Sequence, residues 1–442
     1  MKYSDFKNRL FKKAENRFEN CEIFINNAAT ATVSTYNDEL NEYTVSESGG
    51  VSFRGINGNM EGYAYSEDIS ENSIDYLIEA AYQTMEAVGE KDGIFIYKPE
   101  KEETFSRKAE RKSTDAEKKI SKILEMNKIA RNMSSDVHEV DGKGVEVFEE
   151  KYIANTYGLE KSEENSYSYV YAYVIMKKGD EMKSGIEFEL KENFMDCNFE
   201  SIAEKAVKKA QREFGASPVK SGKYDIILLN EEVCSLMGAL EPAFSAKNVH
   251  KNMSPLKGLL GEKIASEKFT LRDAVKIPGT SLIESFDDEG IDKKDLDIIK
   301  DGVLKTYLHN LETSKEDKIE STASAGRSYK STSYPGMSTM IIEPGELSFD
   351  EMVKKVGDGL LITSIQGLHS GLNAVSGEFS VPCNGFLIEN GKIGRAVNQI
   401  IMSSSLKEIL SSIEEVGNDQ RITLSCSYVP SLMIKGINIS GN

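Results

Sequence analysis

Four histidines, His138, His250, His309 and His369, are the side chains of this 442-residue chain whose unperturbed charge change falls near neutrality, where general bases and metal ligands work. No two lie within a helical turn or two, so a zinc helix with paired histidines cannot be written from them. His138-Glu139 opens such a pattern, but the continuation Val-Asp-Gly-Lys-Gly supplies no second histidine and breaks a helix. Each histidine therefore reads as a structural or surface residue before a catalytic one. The stretch GLHSGLNAVSGEFS, residues 367 to 380, sets His369 and Ser370 among glycines ahead of Glu378, yet His-Ser-Gly is not the G-x-S-x-G elbow of a serine hydrolase. Glu241, Glu343, Glu378 and Glu389 stand beside glycine or proline turns, where loops can assemble a carboxylate pair, and where a solvated acidic surface looks the same. TASAGRSYKST, residues 322 to 332, carries Arg327 and Lys330 without the phosphate-loop spacing, and predicts an exposed loop able to bind peptide or line a cavity.

The elements that must position these residues follow from periodicity. Apolar residues at helical spacing predict a helix over residues 3–18, and alternation over 22–34 predicts a strand. Asn37-Asp38, Gly49-Gly50 and Asn57-Gly58 punctuate further alternating runs before a second amphipathic helix at 70–88. The same order recurs as a helix at 115–132, strands over about 137–190 and a helix at 199–214. The reading is an α+β fold: an N-terminal α+β domain over 1–218, made of two similar halves at about 1–92 and 113–216, and a β-rich domain with a few helices over 219–442. The charged stretch 91–112 reads as a surface connection between the halves. In the second domain KYDIILLN reads as a buried strand and EEVCSLMGALEPAF as a helix. Asp301-Gly302 and Asn390-Gly391 are strong hairpin signals, and 348–355 and 404–415 read as helices.

Composition excludes some classes of function. A net charge of -18 with no basic run repels phosphate backbones, so nucleic acid is not an expected partner. The longest apolar runs are strand-sized, so no membrane span is expected, and the charged N-terminal stretch lacks a secretory signal's apolar core. Five cysteines (Cys21, Cys197, Cys234, Cys383, Cys426) form no CxxC pair and fit reduced thiols, which places the chain in the cytoplasm.

The C-terminal third carries several stretches in fixed order: SAGRSYKSTSYPGMSTMIIEPGELSFDEM, GLLITSIQGLHSGLNAVSGEFSVPCNGFLIENGKIGRAV, EEVGND and SYVPSLMIKGINISG. In these and in the layout of its N-terminal halves the chain resembles the TldD/PmbA family, once described as modulators of DNA gyrase and understood as protease components. The resemblance implies one of two branches. TldD-type chains bind a catalytic metal through a His-Glu-x-x-x-His helix and a later cysteine. In this chain the matching helix spans 231–244, with Cys234 and Ser235 at the His-Glu positions and Ala239 at the second histidine. Cys426 stands near the cysteine's region, but without its sequence context.

The resemblance is therefore to the PmbA/TldE-like branch that lacks the metal motif. It implies a subunit with no cofactor of its own, zinc being expected only in a TldD-type partner, and a heterodimer that admits unfolded peptide. His369, Ser370, Gly371, Asn373, Glu378 and Arg327 are the candidates for lining the peptide cavity, His369 as a loop residue that holds the loop's shape or touches peptide backbone. Two alternatives stay open: a metal-independent hydrolase using Glu378 or Ser370, and a homodimeric peptide-binding scaffold.

Overall fold

The computed structural model describes residues 2–90 and 93–442. Helix α1 (Tyr3–Ala14) leads into strands β1 (Asn20–Tyr36), β2 (Glu39–Asn57) and β3 (Met60–Ser66), followed by α2 (Glu71–Val88). After a short β4 (Glu103–Arg107), the second pass runs α3 (Ala116–Asn132), β5 (Val137–Asn155), β6 (Leu159–Lys178), β7 (Glu181–Lys191) and α4 (Phe199–Arg212). The two passes share one sheet, because β1 pairs antiparallel with β5 from Glu22↔Asn155 to Tyr36↔Asp141. The order is β3-β2-β1-β5-β6, with β4 and β7 both on the far edge of β6.

All four helices cover one face of this sheet. Phe6 and Leu10 of α1 and Ile74, Leu77 and Met85 of α2 pack on Ile23, Ile25, Val51 and Phe53. In the second pass Ile123 and Met126 of α3 and Ile202, Ala206 and Ala210 of α4 pack on Val170, Ala172 and Val174. Each pass also brings a helix backbone onto a strand at one glycine. A Cβ on Gly62 would lie 2.0 Å from the Ala81 carbonyl, and one on Gly185 would lie 2.2 Å from that of Ala206. Only glycine permits such an approach.

The opposite face is buried around Glu22, Lys151 and Lys161, where much of it is charged, and exposed at Glu42, Ser46 and Tyr65. Glu22, Phe24, Lys151, Lys161 and Glu163 project from β1, β5 and β6 against a loop at 284–293 and the stretch around Arg327. Glu22 accepts from Arg54 Nη1 at 3.1 Å and Arg327 Nη2 at 2.9 Å, and the Glu22 and Arg327 side chains are each 1% exposed. The Arg327 guanidinium also stacks over the Phe24 ring, 4.5 Å from its centroid. Lys161 pairs with Asp292 at 2.6 Å, and Lys151 pairs with Asp288 at 3.3 Å and Glu284 at 3.2 Å. Lys293 joins Glu284 at 3.1 Å to Asp273 at 3.0 Å.

Three expectations are corrected. The 322–332 stretch is an exposed loop only in part: Gly326, Ser328 and residues 330–332 are exposed, but Ala323, Ser324 and Ala325 are buried and Arg327 is driven into the sheet by its carboxylate partner. Within the 91–112 stretch Lys91 and Asp92 lie outside the described residues, and the remainder is more than a connection. It adds β4 parallel to β6, stacks Phe105 on Phe286 and sends Arg107 to Glu163 at 3.2 Å. The helix read over 404–415 is confined to Leu406–Ser411, because the preceding strand runs to Ser405 and a new one starts at Ile413.

The C-terminal half contains a closed ring of strands. Strand β8 (Gly222–Leu228) pairs parallel with Gly359–Ile365 and antiparallel with Leu432–Ser440. Lys392–Ser405 and Glu378–Glu389 complete the circuit back to Gly359–Ile365. Closure leaves no open edge around the ring itself. Both hairpin signals hold: Asp301-Gly302 and Asn390-Gly391 each place two successive residues at positive φ, as a two-residue hairpin turn demands. No helix among the described residues is long and apolar enough to cross a membrane.

Glu22→Ala leaves buried guanidinium groups without their shared carboxylate, so it is expected to cost about 3–5 kcal/mol. Lys13→Ala, which breaks an exposed pair with Asp75, is expected to cost less than about 1 kcal/mol. Urea denaturation of the two variants alongside the parent chain measures the contrast, and equal losses would contradict it.

Candidate functional site

Helix α5 (Asn230–Leu240) lies at the junction of the ring and the first sheet. Val233, Leu236, Met237 and Leu240 recur at helical spacing and bury in the C-terminal core, while Glu231 and Glu232 occupy the first turn, where the helix dipole favours anions. Cys234 is buried, with its sulfur 3.3 Å from Thr423 Oγ1 and 3.4 Å from Ser425 Oγ. Ser235 is exposed and donates its hydroxyl to the Glu231 carbonyl one turn back, at 2.9 Å. Ala239, half-buried, offers no donor atom.

Two cavities flank this region. The smaller, about 420 Å³, lies between the polar face of the first sheet and the C-terminal half, with Glu149, Asn165, Tyr167, Arg327 and Cys426 in its walls. Burial, with Glu149 and Cys234 nearby, pushes the Cys426 thiol up to about 11, so it is held protonated. The larger, about 940 Å³, is a cleft between α4 and β7 on one side and the ring on the other. Glu232 lies in it and accepts the Ile365 amide at 2.8 Å. Burial nevertheless raises its carboxyl from 4.5 to about 7, which poises it near half-protonation at neutral pH. Cys383, in the same cleft, is raised by burial to about 12 and is no nucleophile. Glu187 and Glu231 are both tied to Arg421 and Lys209, which fixes the end of α5 against β7.

The residues singled out in the sequence are divided by the fold. His369, Ser370, Gly371, Asn373 and Glu378 fall on one turn at the surface and border neither cavity. Leu368–Gly371 is a single helical turn entered through Gly367 at φ 66°, and it anchors through Leu368 in the C-terminal core. Ser370 donates to the Gly367 carbonyl at 3.1 Å, Asn373 caps the amides of Val375 and Ser376, and Glu378 accepts from Ser376. His369 is exposed. Arg327 is committed to Glu22 on the first sheet and borders the smaller cavity. The fold also joins two histidines that the sequence keeps apart. His250 Nε2 is 2.8 Å and His309 Nε2 is 3.9 Å from Asp317. Burial lowers the His309 pKa against the pull of that carboxylate. Glu232 escaped the sequence reading because a glutamate in the first turn of a helix looks like a dipole complement; its place beside a buried strand was the missing signal.

No three histidine, cysteine, aspartate or glutamate side chains among the described residues are placed to share a metal ion. On α5 the Cys234 thiol faces two hydroxyls, Ser235 bonds its own helix and Ala239 carries no donor or acceptor atom on its side chain.

Comparison with known proteins covers nearly all of this architecture. Residues 221–441 match the model of a PmbA/TldA metallopeptidase C-terminal domain, 110–213 that family's central domain and 21–84 its domain 1. A metalloprotease of Methanocaldococcus jannaschii is 27% identical over 418 residues, 91% of this chain and 90% of the relative. A Thermotoga maritima structure described as a modulator of a DNA gyrase superposes with a TM-score of 0.89 at 27% identity, covering 99% of this chain and all of the other. TldE from Thermococcus kodakarensis shares the fold at a TM-score of 0.85 and 24% identity, with coverage of 99% and 100%.

The raised Glu232 carboxyl sets a pH dependence. Because the folded-state value lies above the ordinary one, the stability it contributes is full below about 4.5 and is lost as pH rises through about 7. Glu232→Gln removes this loss. The variant is expected to gain stability relative to the parent between those limits, on the order of 3 kcal/mol, in denaturation series at matched ionic strength. A pH-independent difference would contradict the assignment.

Proposed function

This chain belongs to the PmbA/TldD metallopeptidase family, and we propose that it is a TldE-like subunit that holds unfolded peptide while a TldD-type partner, carrying the metal, cleaves it. The observation that carries the reading is α5. The helix that would present the metal motif has Cys234, Ser235 and Ala239 at its key positions, and their atoms are spent on neighbouring hydroxyls and on the helix itself. Hydrolysis at neutral pH by a metallopeptidase needs a metal-activated water, and in this reading that water belongs to the partner. The whole-length likeness to a TldE structure supports the architecture that the reading needs.

What this chain contributes is shape and electrostatics. Its clefts lie between rigid sheets, so an extended chain can be held without a loop having to order around it. A self-sufficient hydrolase finds less support, since Ser370 donates to a backbone carbonyl and has no histidine bonded to it among the described residues. The net charge of -18 argues against direct DNA contact, and proteolysis of a regulator would link such a protein to DNA topology without touching nucleic acid.

Mixing is the test. The purified chain alone is expected to carry no stoichiometric zinc by elemental analysis and to leave unfolded casein intact. With a TldD-type subunit from the same cell it is expected to give cleavage that a chelator abolishes. Stoichiometric zinc together with proteolysis by the chain alone would overturn the proposal, as would a partner whose cleavage is indifferent to this chain.

A further inference from the structure

The larger cleft has three walls that converge on one kind of ligand. The first is a strand edge. Among the described residues β7 pairs only with β6, without a register shift from Ser168↔Lys191 to Lys178↔Glu181. At its outer edge the Phe188 carbonyl accepts Arg421 Nη2 at 2.8 Å, so the main-chain groups of Phe188 point away from β6. The period-two alternation of an antiparallel strand gives Ser184 and Ile186 the same outward orientation, and both border the cleft. Met182 and Ile186 stand 53% and 40% exposed along this edge. An unpaired edge beside exposed apolar side chains is a template for an added strand.

The second wall is a set of carboxamides. Gln366, Asn384, Asn398 and Gln399 border the same cleft, and none of the four carboxamides forms a hydrogen bond among the described residues. They are gathered where the pairing of Glu378–Glu389 with Lys392–Ser405 slips between Cys383↔Ile400 and Gly385↔Val397. At that bulge Gln399 adopts φ 55°, a left-handed conformation that costs a non-glycine residue about 1–2 kcal/mol. Strain of this kind persists where it serves to aim a side chain. Each carboxamide offers both a donor and an acceptor, the complement of a peptide main chain whatever its side chains are.

The third wall is cationic. Lys205, Lys208, Lys209 and Arg212 form one stripe of α4, and Lys183 of β7 lies beside it. With Glu187, Glu213, Glu231 and Glu232 the cleft has five cationic side chains against four acidic ones, in a chain of net charge -18. Glu187 and Glu231 are already paired with Lys209 and Arg421, and Lys208 meets Glu204 at 2.9 Å only in an exposed pair on its own helix, so Lys205 and Lys208 can turn to a ligand at little cost.

We infer that this cleft binds an extended acidic polypeptide segment as an added strand on the β7 edge, with its other main-chain edge satisfied by the four carboxamides and its carboxylates on the α4 lysines. The inference rests on the reading of the chain as a peptide-holding subunit, for which it names the site and the peptide's chemistry. Neither cysteine nor histidine takes part, and no covalent step is involved.

The test uses the full chain alone and fluorescence anisotropy. The probes are a fluorescein-labelled peptide of alternating glutamate and valine, the same peptide with every second amide N-methylated, and a lysine–valine counterpart. The acidic peptide is expected to bind saturably, and the other two at least about tenfold more weakly. Lys205→Glu with Lys208→Glu, and separately Asn384→Ala with Asn398→Ala, are each expected to weaken the acidic peptide about tenfold with circular dichroism unchanged. Equal affinity for the N-methylated peptide, indifference to both double variants, or no saturable binding would each overturn the inference. Because binding is read without a partner, peptide capture without partner-dependent cleavage would count against the subunit reading alone. Partner-dependent cleavage without capture would count against the cleft alone.

Discussion

The shared burial of one carboxylate governs this architecture. Glu22 sits inside the molecule between two guanidinium groups, one from the neighbouring strand and one from a segment some 300 residues later in the chain. A charge in that position is tolerable only while its partners are present, so the first sheet and the C-terminal half must meet in one register. The surrounding pairs of Lys151, Lys161 and Lys293 repeat the demand along the loop 284–293. Burial alone would raise Glu284, but Lys151 and Lys293 outweigh it and hold it at about 2. Asp287 goes the other way, pushed up by burial and by Glu289 while three backbone amides hold it in place. The junction is thus set by direction and partner, where an apolar seam would allow sliding.

That constraint explains what could and could not be read from the sequence. The amphipathic helices were legible because one apolar stripe suffices to bury them, and the two-residue hairpins because Asp-Gly and Asn-Gly have few other uses between strands. The second buried face of the first sheet was not legible. Glu22 alternates with apolar residues, the pattern of a half-solvated strand, while Lys161 and Glu163 lie in the wholly polar run Glu160–Asn165, which reads as solvated, and only the distant partners turn that face inward. Arg327 failed for the same reason: small residues around a lone arginine read as a loop, and its carboxylate lies at the other end of the chain.

The site was legible in a different way. The family resemblance rested on strings of residues, and the comparisons bear out that family across the chain. Position within the fold was another matter. The 367–380 stretch, attractive for its histidine, makes a surface turn whose polar atoms mostly serve its own backbone. The larger cleft draws on side chains with little individual signal, carboxamides and lysines, brought together by a bulge and a helix from different halves of the chain.

The closed ring of strands carries a consequence for biosynthesis. Leu432–Ser440 sits between Gly222–Leu228 and Lys392–Ser405, so the first ring strand to be made, Gly222–Leu228, waits on a neighbour made roughly 200 residues later. During synthesis from the N-terminus the first sheet can complete its helix-covered face early, while its charged face stays wet until the loop at 284–293 and Arg327 leave the ribosome. Water solvates those lysines and glutamates well in the interval. The acidic and basic face that is costly to bury in the finished molecule is therefore also what keeps the unfinished one from sticking to its neighbours.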